Sequence, residues 1–210
     1  MEHWGLLGLL LSDPLTFVLL VIPLLYSIIL HELAHGWVAY RMGDPTAKWA
    51  GRLTLNPLKH LDPIGTVMLF IFGFGWAKPV PVNFYNLHDQ RKGLILVSAA
   101  GIVANLIVAF LAALMIKLLE PVPDTPLDIA LYFLFLINVI LASFNLIPIP
   151  PLDGSKILMG FAGQGVQRTL SRLEPYGFFI IIGLYALGVL QPVIYLFKWV
   201  IESIIQALLG

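Results

Sequence analysis

The sequence predicts an all-α polytopic membrane protein, with about five transmembrane helices and one short re-entrant or β-like membrane-associated segment. Three observations carry this. Of 210 residues, 59% are hydrophobic and 11% charged, with a mean hydropathy of +0.91, which lies outside the usage of soluble globular domains. The apolar residues collect in runs near the ~20 residues that a helix needs to cross a bilayer. The basic residues collect between those runs.

Met1-Glu-His-Trp-Gly-Leu-Leu-Gly-Leu-Leu-Leu11 has no basic stretch ahead of its short apolar run, so it reads as an interfacial or half-inserted lead-in rather than a cleavable signal peptide. The first span covers roughly Leu15 to Arg41 and stops at the Gly43-Asp44-Pro45 turn. Thr46 to Leu61 is polar enough to lie outside the hydrocarbon. Ile64 to Phe74 is apolar but short, which suggests a re-entrant or partly inserted element. The prolines of Trp76-Ala-Lys-Pro-Val-Pro-Val-Asn83 favour extended backbone and an edge strand or loop. Further spans are expected at about Gly93 to Leu118, Leu127 to Ile147, Tyr176 to Leu190 and Pro192 to Leu209. Pro148-Ile-Pro150-Pro151 ends the third, because proline cannot continue a helix. With no repeat or low-complexity stretch, residues 1–210 read as one membrane-embedded domain, with its core at about 15–160 and C-terminal helices at about 176–209.

The charge balance gives an orientation. Arg41, Lys48, Arg52, Lys59, Lys78, Arg91 and Lys92 separate the first two spans, and Lys156, Arg168 and Arg172 follow the third. Loops rich in Lys and Arg stay in the cytoplasm. The acidic Glu120 to Asp128 loop then lies outside, as does the N-terminus. A formal net charge of zero gives no reason to expect a nucleic-acid partner. The chain has no cysteine, so disulfides and thiolate metal ligands are excluded together.

Within the first span stands His31-Glu32-Leu33-Ala34-His35. Residues four apart on a helix lie ~6 Å apart along the axis and about 40° apart around it, so His31 and His35 can converge on one ion. Glu32 is placed to act on a water bound there. Ionisable groups inside a span are costly and usually mark function. A catalytic zinc site takes three protein ligands, and Asp153, just past the proline break, is the candidate for the third. Its alternative is a helix N-cap. Asn105 and Asn145 lie in otherwise apolar spans and could hold substrate or steady an oxyanion. They could equally be interhelical hydrogen-bonding groups. Asn138 reads as packing, and His3, His60 and His88 as solvated groups near interfaces or loops.

His31-Glu-Leu-Ala-His35-Gly36, Gly101-Ile-Val-Ala-Asn105 and Asn145-Leu-Ile-Pro-Ile-Pro-Pro-Leu-Asp153-Gly154, in this order, resemble the site-2 protease family of intramembrane zinc metalloproteases. Thr54 to Thr66 and Phe74 to Asn83 resemble connecting segments of its compact prokaryotic members. The resemblance implies one Zn²⁺ held by His31, His35 and Asp153, with Glu32 as the catalytic carboxylate. It implies that Asn105 and Asn145 contact substrate or stabilise the transition state. It also implies cleavage of single-pass membrane proteins in regulated intramembrane proteolysis by a multi-pass protein of the cell membrane, whose motif, ending six residues before Arg41, the basic loops put toward the cytoplasmic side. Ile102 stands where many relatives have proline, and the chain leaves no room for a PDZ or CBS module, so regulation through one is not expected. The rival reading of the same His/Asp cluster is a membrane metal transporter or metal-binding sensor.

Overall fold

In a computed structural model that describes residues 5–73 and 75–210, the chain is a bundle of helices, with no strand among the described residues. Met1 to Trp4 of the expected lead-in, His3 included, and Phe74 lie outside the described residues. Helix α1 (Gly5–Ser12) leads into α2 (Pro14–Arg41), whose start is capped by the Asp13 carboxylate accepting from Thr16 N–H at 3.1 Å. After the short α3 (Thr46–Trp49) and a 3-10 turn at Pro57–Lys59, α4 (Pro63–Phe72) packs against α1, and its Phe70 ring meets Phe17 of α2 at 5.8 Å between centroids. Asp62 caps α4 through Gly65 N–H, and Gly73 ends it at φ 76°, a left-handed conformation that suits glycine.

Helix α4 spans ten residues, about 15 Å, which is half of what a bilayer crossing needs. The chain then turns back, bringing the backbone at Trp76 against Gly65. This short apolar helix and turn-back occupy the stretch where a re-entrant or partly inserted element is expected. Its β-like part is a single antiparallel bridge between Leu61 and Ala77, supported by Lys78 N–H donating to the His60 carbonyl at 2.8 Å.

Helix α5 (Gln90–Leu119), α6 (Pro126–Asn145) and α10 (Leu190–Leu209) join α2 as four helices long and apolar enough to cross a membrane. Small residues let them approach: Ala109 and Ala112 on α5 and Ala142 on α6 are buried with Ile102, Val139, Ile201 and Ile205. Such contacts suit lipid, where close van der Waals packing replaces the hydrophobic drive for helix association. Helices α7 (Asp153–Phe161) and α8 (Gln164–Leu173) follow the proline break.

The expected span at Tyr176 to Leu190 takes a different form. It folds as α9 (Gly177–Ala186), ten residues and about 15 Å long, half of a crossing. Gly188 at φ 72° then reverses the chain into α10. This short helix sets the direction of the last span. Leu190 packs with Ile147 and Leu152 at the proline-break end, while the Leu209 carbonyl receives the Lys117 ammonium at the far end of α5. Helix α10 therefore runs parallel to α5.

Candidate metal centre

The motif lies in the last three turns of α2, and both of its histidines are held by α5. His35 Nδ1 lies 2.7 Å from the Val97 carbonyl, a group that only accepts, so Nδ1 carries the hydrogen. His31 Nδ1 lies 2.6 Å from Asn105 Oδ1. The Asn105 amide is oriented in turn, because its Nδ2 donates to Asn138 Oδ1 at 2.8 Å and reaches the Ser27 carbonyl at 3.4 Å. Asn138 Nδ2 donates to Ser27 Oγ at 2.7 Å. This polar chain ties α2, α5 and α6 together at fully buried Asn105 and Asn138. Interhelical bonds in membranes average roughly 0.6 kcal/mol each, so holding one histidine tautomer matters more here than stability.

With both Nδ1 atoms donating, neutral His31 and His35 present bare lone pairs at Nε2. Those two nitrogens are 3.0 Å apart, and Asp153 Oδ2 stands 3.1 Å from one and 3.2 Å from the other. Asp153 Oδ2 is buried without a hydrogen-bond donor. Three converging lone pairs repel one another unless a cation or proton lies among them. Tetrahedral ligands about 2.0 Å from zinc stand about 3.3 Å from each other, so the observed triangle fits that ion with little movement. All three residues are at most 9% exposed.

Asp153 reaches this place because α6 ends at Asn145 and α7 begins at Asp153 itself, its backbone at Gly154 pressed against the Leu146 and Ile147 carbonyls. A Cβ on Gly154 would stand 2.3 Å from the Leu146 oxygen. The capping position of α7 is Leu152, with no side-chain cap, so the Asp153 carboxylate is not used as an N-cap.

Glu32 faces a cavity of about 270 Å³ also lined by His31, His35, Val80, Asn145 and Asp153. One carboxylate oxygen accepts from Val80 N–H at 2.7 Å. That bond also fastens the extended segment 77–83 to α2. Two other tethers hold the segment's ends: Arg52 donates to the Lys78 carbonyl at 2.5 Å, and Asp44 accepts from Asn83 N–H at 2.7 Å. Asp44 is fully buried and accepts as well from Asn86 Nδ2 at 2.9 Å and from Thr46 N–H and Oγ1. Burial pushes the Asp44 pKa up, but these donors outweigh it and hold the carboxyl below its usual range.

Four residues differ from their sequence reading or were missed by it. Asn105, expected at the substrate, is fully buried and spends its oxygen on His31. Asn138, read as packing, orients Asn105. His60 is buried rather than solvated, its Nε2 2.8 Å from the Thr54 carbonyl, and so shapes the loop before α4. Gly101 was part of a recognised pattern without a role: a Cβ there would lie 2.5 Å from His35 Nε2 and 2.6 Å from His31 Nε2. Gly101 and Asn105 are four apart on α5, so one helix face supplies both the space for the ligand atoms and the support for His31. Asn145 lines the cavity, with its Nδ2 turned to the Leu141 carbonyl at 3.0 Å.

The model of peptidase family M50 matches residues 120–187, the stretch that contains Asp153. YwhC of Bacillus subtilis, named provisionally as a zinc metalloprotease, is 44% identical over 173 residues, covering 79% of this chain and 79% of that one. The chain belongs to peptidase family M50. Two other relatives carry the same provisional name: Rip2 of Mycolicibacterium smegmatis, 32% identical over 79% of this chain and 66% of its own, and MJ0611 of Methanocaldococcus jannaschii, 30% identical over 69% and 71%. No solved structure matches the chain. This M50 protein is a membrane-embedded zinc metalloprotease acting on protein substrates, and its cofactor is Zn²⁺. The transporter or sensor reading is not favoured.

Proposed function

We propose that this M50 protein cleaves single-pass membrane proteins in or beside their transmembrane segments, from an active site facing the cytoplasm of a cell membrane. The observation that carries the reading is the convergence of His31, His35 and Asp153 in the cavity that Glu32 faces, within a bundle of helices long enough to span. His31, His35 and Asp153 would hold one zinc ion. When bound, zinc supplies Lewis acidity toward a water molecule and the scissile carbonyl.

Glu32 is the general base and acid. Val80 N–H fixes one of its oxygens, which leaves the other to take a proton from the attacking water and return it to the leaving amine. Asn105 is a positioning residue acting through His31, and Asn145 contacts substrate from the cavity wall. The peptide bond of a membrane helix must be unwound before attack, since its backbone is already hydrogen-bonded. Segment 77–83 offers a place to hold it: Val82 lines the cavity, and its N–H has no partner among the described residues. An unwound substrate strand can pair there by β-addition.

The basic loops around α3 and after α6 support the cytoplasmic orientation. Residues 1–210 form one membrane domain, supported by α10 packing into the same cluster as α5 and α6. The test is reconstitution in proteoliposomes with single-pass substrates of varied transmembrane sequence. Wild type is expected to cleave within or beside the membrane segment, and Glu32→Gln to lose cleavage by at least about a hundredfold. Cleavage confined to soluble domains overturns the reading.

A further inference from the structure

Lys156 stands three residues beyond Asp153 on α7 and lines the reaction cavity. It also lines a second cleft of about 260 Å³, bounded by Phe84, Tyr85, Met159, Gln167, Ser171 and Glu174. Phe84 is the other residue common to both spaces, and the Lys156 ammonium lies 5.8 Å from its ring centroid. The two side chains form a threshold between the metal cluster and the open cleft beside α8. Among the described residues Lys156 makes no hydrogen bond and no ion pair. Arg91 donates to the Gly160 and Phe161 carbonyls and Lys92 pairs with Asp89, so neither of these is free to serve the cavity.

We propose that Lys156 is a specificity-determining residue that pairs with an acidic side chain of the substrate. The unwound polypeptide runs from the Val82 edge past the cluster and leaves over the Phe84–Lys156 threshold into the cleft that ends at Glu174. Three helical residues rise about 4.5 Å and an extended chain advances about 3.3 Å per residue, so the ammonium serves a substrate position within roughly two residues of the scissile bond. A cation at the mouth of a cavity with no counterion of its own is suited to a substrate carboxylate, since no internal acid neutralises it and bulk water screens it incompletely. The inference rests on the protease reading above and adds a charge rule for its substrates.

The test uses single-pass substrates that share one transmembrane segment and carry Asp, Asn or Lys at each position within two residues of the mapped cleavage site. Wild type, Lys156→Gln and Lys156→Glu are compared by KM, kcat and zinc content, and binding of uncleaved substrate is measured in the Glu32→Gln background. At one position wild type is expected to prefer Asp over Lys by about tenfold in KM, the scale of one partly screened ion pair. Lys156→Gln abolishes the preference and Lys156→Glu inverts it, with kcat within about twofold and zinc unchanged. The inference fails if both variants treat Asp and Lys substrates as wild type does, or if they lose kcat equally on all substrates. Substrates that wild type does not cleave at or near the membrane count against the protease reading itself.

Discussion

Asn105 and Gly101 illustrate how a single side chain, or its absence, controls a metal site. Asn105 touches no cavity surface, yet it fixes which nitrogen of His31 carries hydrogen and so which lone pair faces Asp153. Replacing it with alanine is expected to lower zinc affinity about ten- to a hundredfold, the usual effect of removing a group that orients a ligand histidine. Competition with a chelator measures this; an unchanged zinc affinity contradicts the assigned role. At Gly101 a single methyl is too much. Overpacking alone costs about 1–3 kcal/mol, and here the clash falls on both Nε2 atoms. Gly101→Ala is expected to fold, as judged by its thermal transition, with zinc content well below that of wild type.

Among the elements, the segment 77–83 owes its shape to contacts from outside itself. Lys78, Val80 and Asn83 are tied to Arg52 and His60, to Glu32 and to Asp44 in turn. Proline at Val82 removes the N–H that stands free for a substrate strand and leaves these tethers alone. Cleavage should fall while zinc content holds, and unchanged cleavage sinks the strand-pairing account. Asp44 gives the segment a pH dependence. Its folded pKa lies below the unfolded value of about 3.9. Its contribution to stability is therefore complete above that unfolded value and is lost as pH falls through the folded one. Asp44→Asn should be less stable than wild type by about 2 kcal/mol near neutrality, one charged hydrogen bond's worth. That gap should close below about pH 4 in thermal unfolding measured as a function of pH.

How far the sequence specifies these parts depends on the range of the interactions involved. The spans, the proline break and the H-E-x-x-H spacing are local patterns, and α2, α5, α6 and α10 form close to where hydropathy puts them. Asp153 was legible because the break before it needed a reason. The roles of Asn105 and Asn138 were not legible, since an amide in a span reads alike whether it meets substrate or another amide. Nor was the role of Asp44, whose turn-forming residues gave no sign that Asn83 and Asn86 would gather on it. Hydropathy alone predicts a crossing at residues 176–190. Glu174-Pro-Tyr176 opens it as a 3-10 turn and Gly188 closes it, which leaves too few helical residues.

At the scale of the whole molecule, the short α9 reverses the direction that five crossings would give α10 and brings both ends of the α5–α10 pair into register. The proposed orientation can be checked directly, because the native chain has no cysteine. A cysteine at exposed Val122 should react with an impermeant maleimide added to intact cells, and one at exposed Leu58 only after permeabilisation. The reverse pattern contradicts the orientation. Folding of this bundle brings Asp153 to two histidines more than a hundred residues earlier in the chain, and together the three are proposed to hold one zinc ion. Zinc per chain in purified protein tests it most directly. Wild type and Glu32→Gln should each hold close to one equivalent, and Asp153→Ala close to none after dialysis against a weak chelator. Full zinc occupancy in Asp153→Ala would contradict the account.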